Sequence, residues 1–120
     1  MRPNTRACIA YIAGCLVTEK KASSVYDYSQ SKHIMVSGNV DQDKVQIYDH
    51  DQCCHFSGKK KGERFSLYHY GDRHFVDFAL DGRSLKGYDY GTSSSYSGEV
   101  RGSSINIYDY GESASFSYGI

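Results

Sequence analysis

Five variants of one tetrapeptide, spaced almost evenly, constrain this chain more than anything else in it. They are Val25-Tyr26-Asp27-Tyr28, Ile47-Tyr48-Asp49-His50, Leu67-Tyr68-His69-Tyr70, Gly87-Tyr88-Asp89-Tyr90 and Ile107-Tyr108-Asp109-Tyr110. Their first tyrosines stand at positions 26, 48, 68, 88 and 108, so the spacing is 22 once and then 20 three times. A fixed period of this size marks a repeat architecture, in which each unit is one supersecondary element unable to bury its apolar face alone.

Within a repeat the apolar residues alternate. Val45 and Ile47, Phe65 and Leu67, and Ile105 and Ile107 precede the motif at two-residue spacing, so they share one face of a strand while the paired tyrosines share the other. Eight residues after the first tyrosine come Phe56, Val76, Tyr96 and Phe116, with Val36 equivalent after a two-residue insertion. Between these runs lie turn formers such as Asp81-Gly82-Arg83 and Arg101-Gly102-Ser103. Each repeat therefore reads as strand, turn, strand, turn. The expected fold is all-β, five repeats of about 20 residues with two strands each. The near-constant period and the like residues at like offsets favour a β-solenoid in which equivalent strands stack. An antiparallel β-meander or sandwich built from hairpins is the alternative.

One detail resists simple alternation. It puts Asp27, Asp49, Asp89 and Asp109 on the apolar face. Either the strand ends before the aspartate or a bulge re-aims it, leaving the carboxylate to accept backbone N–H groups of the turn; a stack of unpaired buried carboxylates is the alternative, and its desolvation cost argues against it.

Residues 1–24 differ in kind. Thr5 is placed to cap a helix running through Ala7–Val17, with Cys8, Ile12 and Cys15 on one stripe. The expected organisation is an N-terminal helical cap, residues 1–24, sealing the first coil of a five-repeat β domain, residues 25–120. A competing reading treats Arg2 and Arg6 followed by an apolar run as a secretory signal. Ile12-Ala13-Gly14-Cys15 resembles a bacterial lipoprotein cleavage box, and Cys15 would then carry the lipid anchor. No run approaches the length of a membrane-spanning helix.

The 14 basic and 14 acidic residues cancel, so no general field draws in nucleic acid or an anionic membrane. The basic run Lys59-Lys60-Lys61 reads as a solvated turn. Cys8, Cys15, Cys53 and Cys54 lack the spacing of a disulfide framework and read as thiols of a reducing compartment, the cytoplasm.

The densest cluster of metal-ligand types is Asp49-His50-Asp51-Gln52-Cys53-Cys54-His55. It lacks the pair spacings of structural zinc sites, and His50 stands where other repeats have tyrosine. His50, Cys53 and His55, with Cys54, are the weak candidates for a small metal-binding protein or hydrolase. No nucleophile elbow or phosphate loop is present, and no cofactor is implied. The favoured function is a non-enzymatic binding or scaffold module. Its recognition surface would be a ribbon of the second tyrosines, Tyr28, Tyr70, Tyr90 and Tyr110, facing a protein, a peptide, a glycan or a second copy through the tyrosine face or free strand edges. Thiol titration in denaturant without reductant is expected to find four reactive cysteines; two or none would mean a disulfide or a bound metal.

Overall fold

The two strands of each repeat pair with one another, neighbouring repeats pair side by side, and the last strand meets the first. The computed structural model describes all residues, Met1–Ile120. Helix α1 spans Pro3–Thr18. Ten strands follow: β1 Ser24–Asp27, β2 Lys32–Val40, β3 Lys44–Asp49, β4 Cys54–Lys61, β5 Arg64–His69, β6 His74–Asp81, β7 Ser84–Asp89, β8 Ser94–Arg101, β9 Ser104–Asp109 and β10 Ala114–Gly119. Each pairs antiparallel with its sequence neighbours, and β1 pairs with β10 through Tyr26↔Gly119 and Asp27↔Tyr118, closing a barrel.

The all-β expectation with an N-terminal helix holds, but the β-solenoid does not. Equivalent strands lie two apart in one sheet instead of stacking in parallel. The turns decide this. Gly62, Gly82 and Gly102 have φ near 60° at the first central position of two-residue loops, the conformation that reverses a strand onto its neighbour with matching twist. The constant period has a different origin from coil stacking: hairpins that line one barrel wall must have equal lengths. The open meander or sandwich is not matched either, because the sheet closes. Closure also removes the free strand edges through which association was expected.

Helix α1 is not a cap. Ala7, Cys8, Ile9, Ala10, Ile12 and Ala13 are fully buried, which covers every side of a helix, and α1 belongs to the same core cluster as the inward strand residues. It runs inside the barrel, nearest β1, β2 and β9. The opposite wall is filled by Phe56, Phe65, Phe78 and Tyr96. Thr5 does not cap the helix; it is buried within it, while Arg2 holds the N-cap position with Pro3 just inside. Glu19, in the left-handed region at φ 56°, ends the helix, and residues 19–23 lead back to β1.

Alternation continues through the motif. Asp49 pairs with Cys54 and Asp109 with Ala114 in unbroken ladders, so neither strand termination nor a bulge turns the aspartates away. Adjacent hairpins are displaced by two residues: Cys54 opposes Asp49, but Phe56 opposes His69. This stagger tilts the strands and widens the barrel. At Gly58 the adjoining strand comes so close that a Cβ would collide with the Ser66 carbonyl oxygen. At Gly87 a side chain would collide with the Tyr96 ring, whose hydroxyl donates to the Asp77 carbonyl at 2.7 Å.

No helix is long and apolar enough to cross a membrane. The outward strand positions carry Lys44, Gln46, Ser57, Lys59, Arg64, Ser66, Lys86, Ser97, Glu99 and Asn106, where a membrane-spanning barrel needs an apolar band.

Because α1 is the core and not a lid, Ile12→Asp is expected to abolish folding, since it places an unpaired charge where no water reaches. Ile12→Val should cost only about 1 kcal/mol. Denaturant unfolding followed by circular dichroism measures both; an Ile12→Asp protein as stable as the parent would overturn the placement of the helix.

Candidate functional site

The motif ends of all five odd-numbered strands lie at one end of the barrel, and there the chain does opposite things inside and outside. Inside, Asp27, Asp49, His69, Asp89 and Asp109 form a buried ring. Each reaches into the turn that follows it. Asp27 Oδ1 accepts from the Ser29 N–H, Asp49 Oδ1 from Asp51, Asp89 Oδ1 from Gly91 and Asp109 Oδ1 from Gly111, all at 2.9 Å. His69 Nδ1 plays the same part, accepting from the Asp72 N–H at 3.0 Å. Each turn closes on a residue in the left-handed region: Ser31, Cys53, Arg73, Ser93 and Ser113.

The N-terminus of α1 points into this ring, so its positive dipole end meets the carboxylates. Arg6, buried, donates from Nη1 to Asp109 Oδ2 at 3.1 Å and from Nε to the Tyr118 hydroxyl at 2.8 Å, and its guanidinium lies 3.4 Å from the Phe116 ring centroid. The Met1 ammonium lies 2.9 Å from the same Asp109 oxygen. Burial by itself would raise the Asp109 carboxyl, but the ammonium and the Gly111 and Glu112 N–H groups hold it below the usual carboxylate range. Asn4 bridges Asp49 Oδ2 and Asp51 Oδ2 at 3.0 and 2.9 Å.

One sector of the ring resembles a nucleophile with its base. Cys54 Sγ lies 3.7 Å from His69 Nε2, and Asp72 lies behind His69 Nδ1. The hydrogen bonding argues against nucleophilic chemistry. Since Nδ1 accepts the Asp72 N–H, the ring proton sits on Nε2, facing sulfur, so the imidazole cannot take the thiol proton. Burial pushes the Cys54 thiol up and pushes His69 down toward its neutral form. Cys8 Sγ, 3.8 Å from Asp49 Oδ2, is likewise pushed up by burial and by that carboxylate. His74 stacks beside His69 with its ring nitrogens 3.4 Å from Asp89 Oδ1 and 3.7 Å from Asp72 Oδ2.

The candidates read from sequence separate. His50 and His55 point outward on either side of Tyr48, each in edge-to-face contact with its ring. Cys53 is exposed in the turn, whereas Cys54 faces the interior. His50 Nε2 is engaged with Ser37 Oγ at 2.8 Å. No group of three or more His, Cys, Asp or Glu side chains is arranged to hold a metal ion. Sequence reading missed the ring itself, although the signal was present in the aspartates' apolar-face parity.

Outside, the tyrosines form a belt. Tyr28, Tyr70, Tyr90 and Tyr110 are 60%, 56%, 56% and 59% exposed. Each packs edge-to-face on the first tyrosine of its motif, with ring centroids 4.7 to 4.9 Å apart. Their hydroxyls lean over the preceding strand: Tyr90 donates to Asp77 Oδ2 at 3.0 Å, and Tyr110 reaches Ser97 Oγ at 3.5 Å. Shallow grooves open beside the belt. One of about 470 Å³ is lined by Asn39, Gln46, Tyr48, His55, Ser57 and Tyr70, with the Gly38 and Ile47 backbone below. Another of about 510 Å³ lies over the closing seam, between Tyr26, Tyr28, His33 and Ser103. Comparison with known protein families, curated proteins and solved structures found no match to this chain.

Two outcomes follow from the interior. His69 is held neutral by burial, so the unfolded chain binds a proton more readily and stability falls as pH drops below about 6.5. Urea unfolding at pH 7 and pH 5 should show this loss in the parent and a flatter profile in His69→Gln; equal slopes would refute the assignment. Arg6→Ala leaves Asp109 without its guanidinium partner and Tyr118 without its donor, and is expected to cost about 3–5 kcal/mol in the same measurement.

Proposed function

We propose that this barrel is a non-enzymatic binding module whose recognition surface is the tyrosine belt. The observation that carries the reading is the exposure of the second tyrosine in four repeats, each held in place by the first. Such rings lose little conformational freedom on binding, because their neighbours already fix them, and they offer both area and a hydroxyl. They lie outside the core, so the fold has no need of them for its own burial. Five similar units around one barrel end would present several equivalent contacts.

The interior chemistry supports a binding role over a catalytic one. Cys54 and His69 are sealed beneath the turns, with the imidazole proton directed at sulfur and the thiol raised by burial. The reading places the protein in a reducing compartment, the cytoplasm, since Cys8, Cys15 and Cys54 are buried unpaired thiols. The lipid-anchored alternative would take residues 1–14 away from the barrel and with them most of the helix that fills it.

Tyr110→Ala tests the surface role. As a surface substitution it should cost less than about 1 kcal/mol in denaturant unfolding. Tyr90→Ala should cost slightly more, because it also removes the hydrogen bond to Asp77, about 1 kcal/mol on average. A loss above about 3 kcal/mol in both would make the rings structural and end the proposal.

A further inference from the structure

We infer that the groove between β2, β3 and β4, floored by Gly38 and Ile47, takes a neutral polyhydroxylated ligand: one or two sugar rings of an oligosaccharide. The inference rests on the belt being a recognition surface and names what that surface recognises.

The lining carries the argument. Tyr48, Tyr70 and His55 supply aromatic rings, and Asn39, Gln46, Ser37 and Ser57 supply amides and hydroxyls. Asn39 and Gln46 stand directly opposite one another in the strand register, and both are exposed. None of the nine lining residues is Asp, Glu, Lys or Arg. The grooves elsewhere on the wall differ: one contains Arg64, Asp77 and Lys86, and another Glu99 and Arg101. No lining residue offers an opposite charge to an anionic or cationic ligand, which would lose hydration over Tyr48 without return; the nearest outward charges, Lys44 and Lys59, pair beyond Gln46 and Ser57.

An extended peptide is disfavoured for a separate reason. Strand addition needs an open sheet edge, and β2 and β3 are paired on both sides. What remains is a ligand with apolar ring faces and many hydroxyls. The aromatic faces suit the C–H side of a pyranose, and the opposed amides can each donate and accept toward neighbouring hydroxyls. The barrel wall is convex, so one straight chain reaches at most a neighbouring repeat. Each contact is therefore weak, with affinity in the millimolar to upper micromolar range. The seam groove between Tyr26, Tyr28 and His33 has aromatic rings and serine hydroxyls but no amide pair.

The test is a two-dimensional NMR titration of the labelled full chain with neutral linear oligomers of glucose, xylose, mannose and N-acetylglucosamine, with an oligogalacturonate as the charged control. Saturable shifts at Asn39, Gln46, Tyr48 and Tyr70 with at least one neutral oligomer, and none with the control, are expected. The double variant Asn39→Ala/Gln46→Ala and the single variant Tyr70→Ala should each weaken binding about tenfold at unchanged melting temperature, while Tyr70→Phe keeps the ring and most of the affinity. If no neutral oligomer shifts these residues, or if the shifts appear with protein concentration alone, the sugar inference fails. The belt reading survives that failure, since it stands or falls on the cost of Tyr90→Ala and Tyr110→Ala together.

Discussion

The width of the barrel is what everything else answers to. Eight tilted strands close around a space that side chains alone can fill, and ten strands leave more. Here the surplus is taken by α1, a helix with small residues, Ala7, Ala10, Ala13 and Gly14, set among Cys8, Ile9, Ile12 and Leu16. The helix is eccentric, so the fit is shared. Near β1, β2 and β9 the backbone of α1 approaches the wall, and on the far side Phe56, Phe65, Phe78 and Tyr96 make up the distance. A helix apolar on every face can be stable only when surrounded, and a barrel this wide can be dry only when filled. Each part buries its apolar surface against the other.

Filling the interior with a helix creates an electrostatic problem at each helix end, and the motif resolves the one at the N-terminus. The inward residue of each motif is a carboxylate in four repeats and a histidine in the fifth. The carboxylate oxygens and His69 Nδ1 close the turns above them, and the ring faces the positive end of α1 below. Arg6 and the Met1 ammonium supply formal positive charge to Asp109. Buried carboxylates are tolerable on these terms, because every one accepts hydrogen bonds from the turn it precedes. Strand parity then sends the flanking tyrosines outward, so one tetrapeptide seals the interior and builds the exterior belt.

The consequence for function is a rigid, repetitive outer surface at one end of a closed scaffold. Barrel closure leaves no sheet edge for partner strands, so the recognition proposed for this surface would use side chains. Near the belt stand aromatic rings, serines and amides, with Asp77 under the Tyr90 hydroxyl and Lys44 and Lys59 beyond the β2–β4 groove. Beneath the belt His69 holds its turn by accepting the Asp72 N–H, and Cys54 lies against its other ring nitrogen.

Much was legible before any coordinates: the all-β repeat, the two strands per repeat, the inward positions of Val45, Ile47, Phe56, Val76 and Ile107, and the outward second tyrosines. These follow from alternation and period, which are local properties of the chain. The burial of Asp49 and its equivalents was legible too, in their parity, yet desolvation cost argued against it because the compensating turn N–H groups come from conformations that only the folded turns adopt. Whether two-strand units stack as coils or close as hairpins turned on φ at Gly62, Gly82 and Gly102, which sequence permits but does not dictate. The place of α1 was decided by tertiary structure alone. Its lack of a polar face between Ala7 and Val17 says that it must be covered on all sides; that the cover is the protein's own sheet, wrapped once around and joined at Tyr26 and Gly119, depends on the curvature and stagger of ten strands acting together.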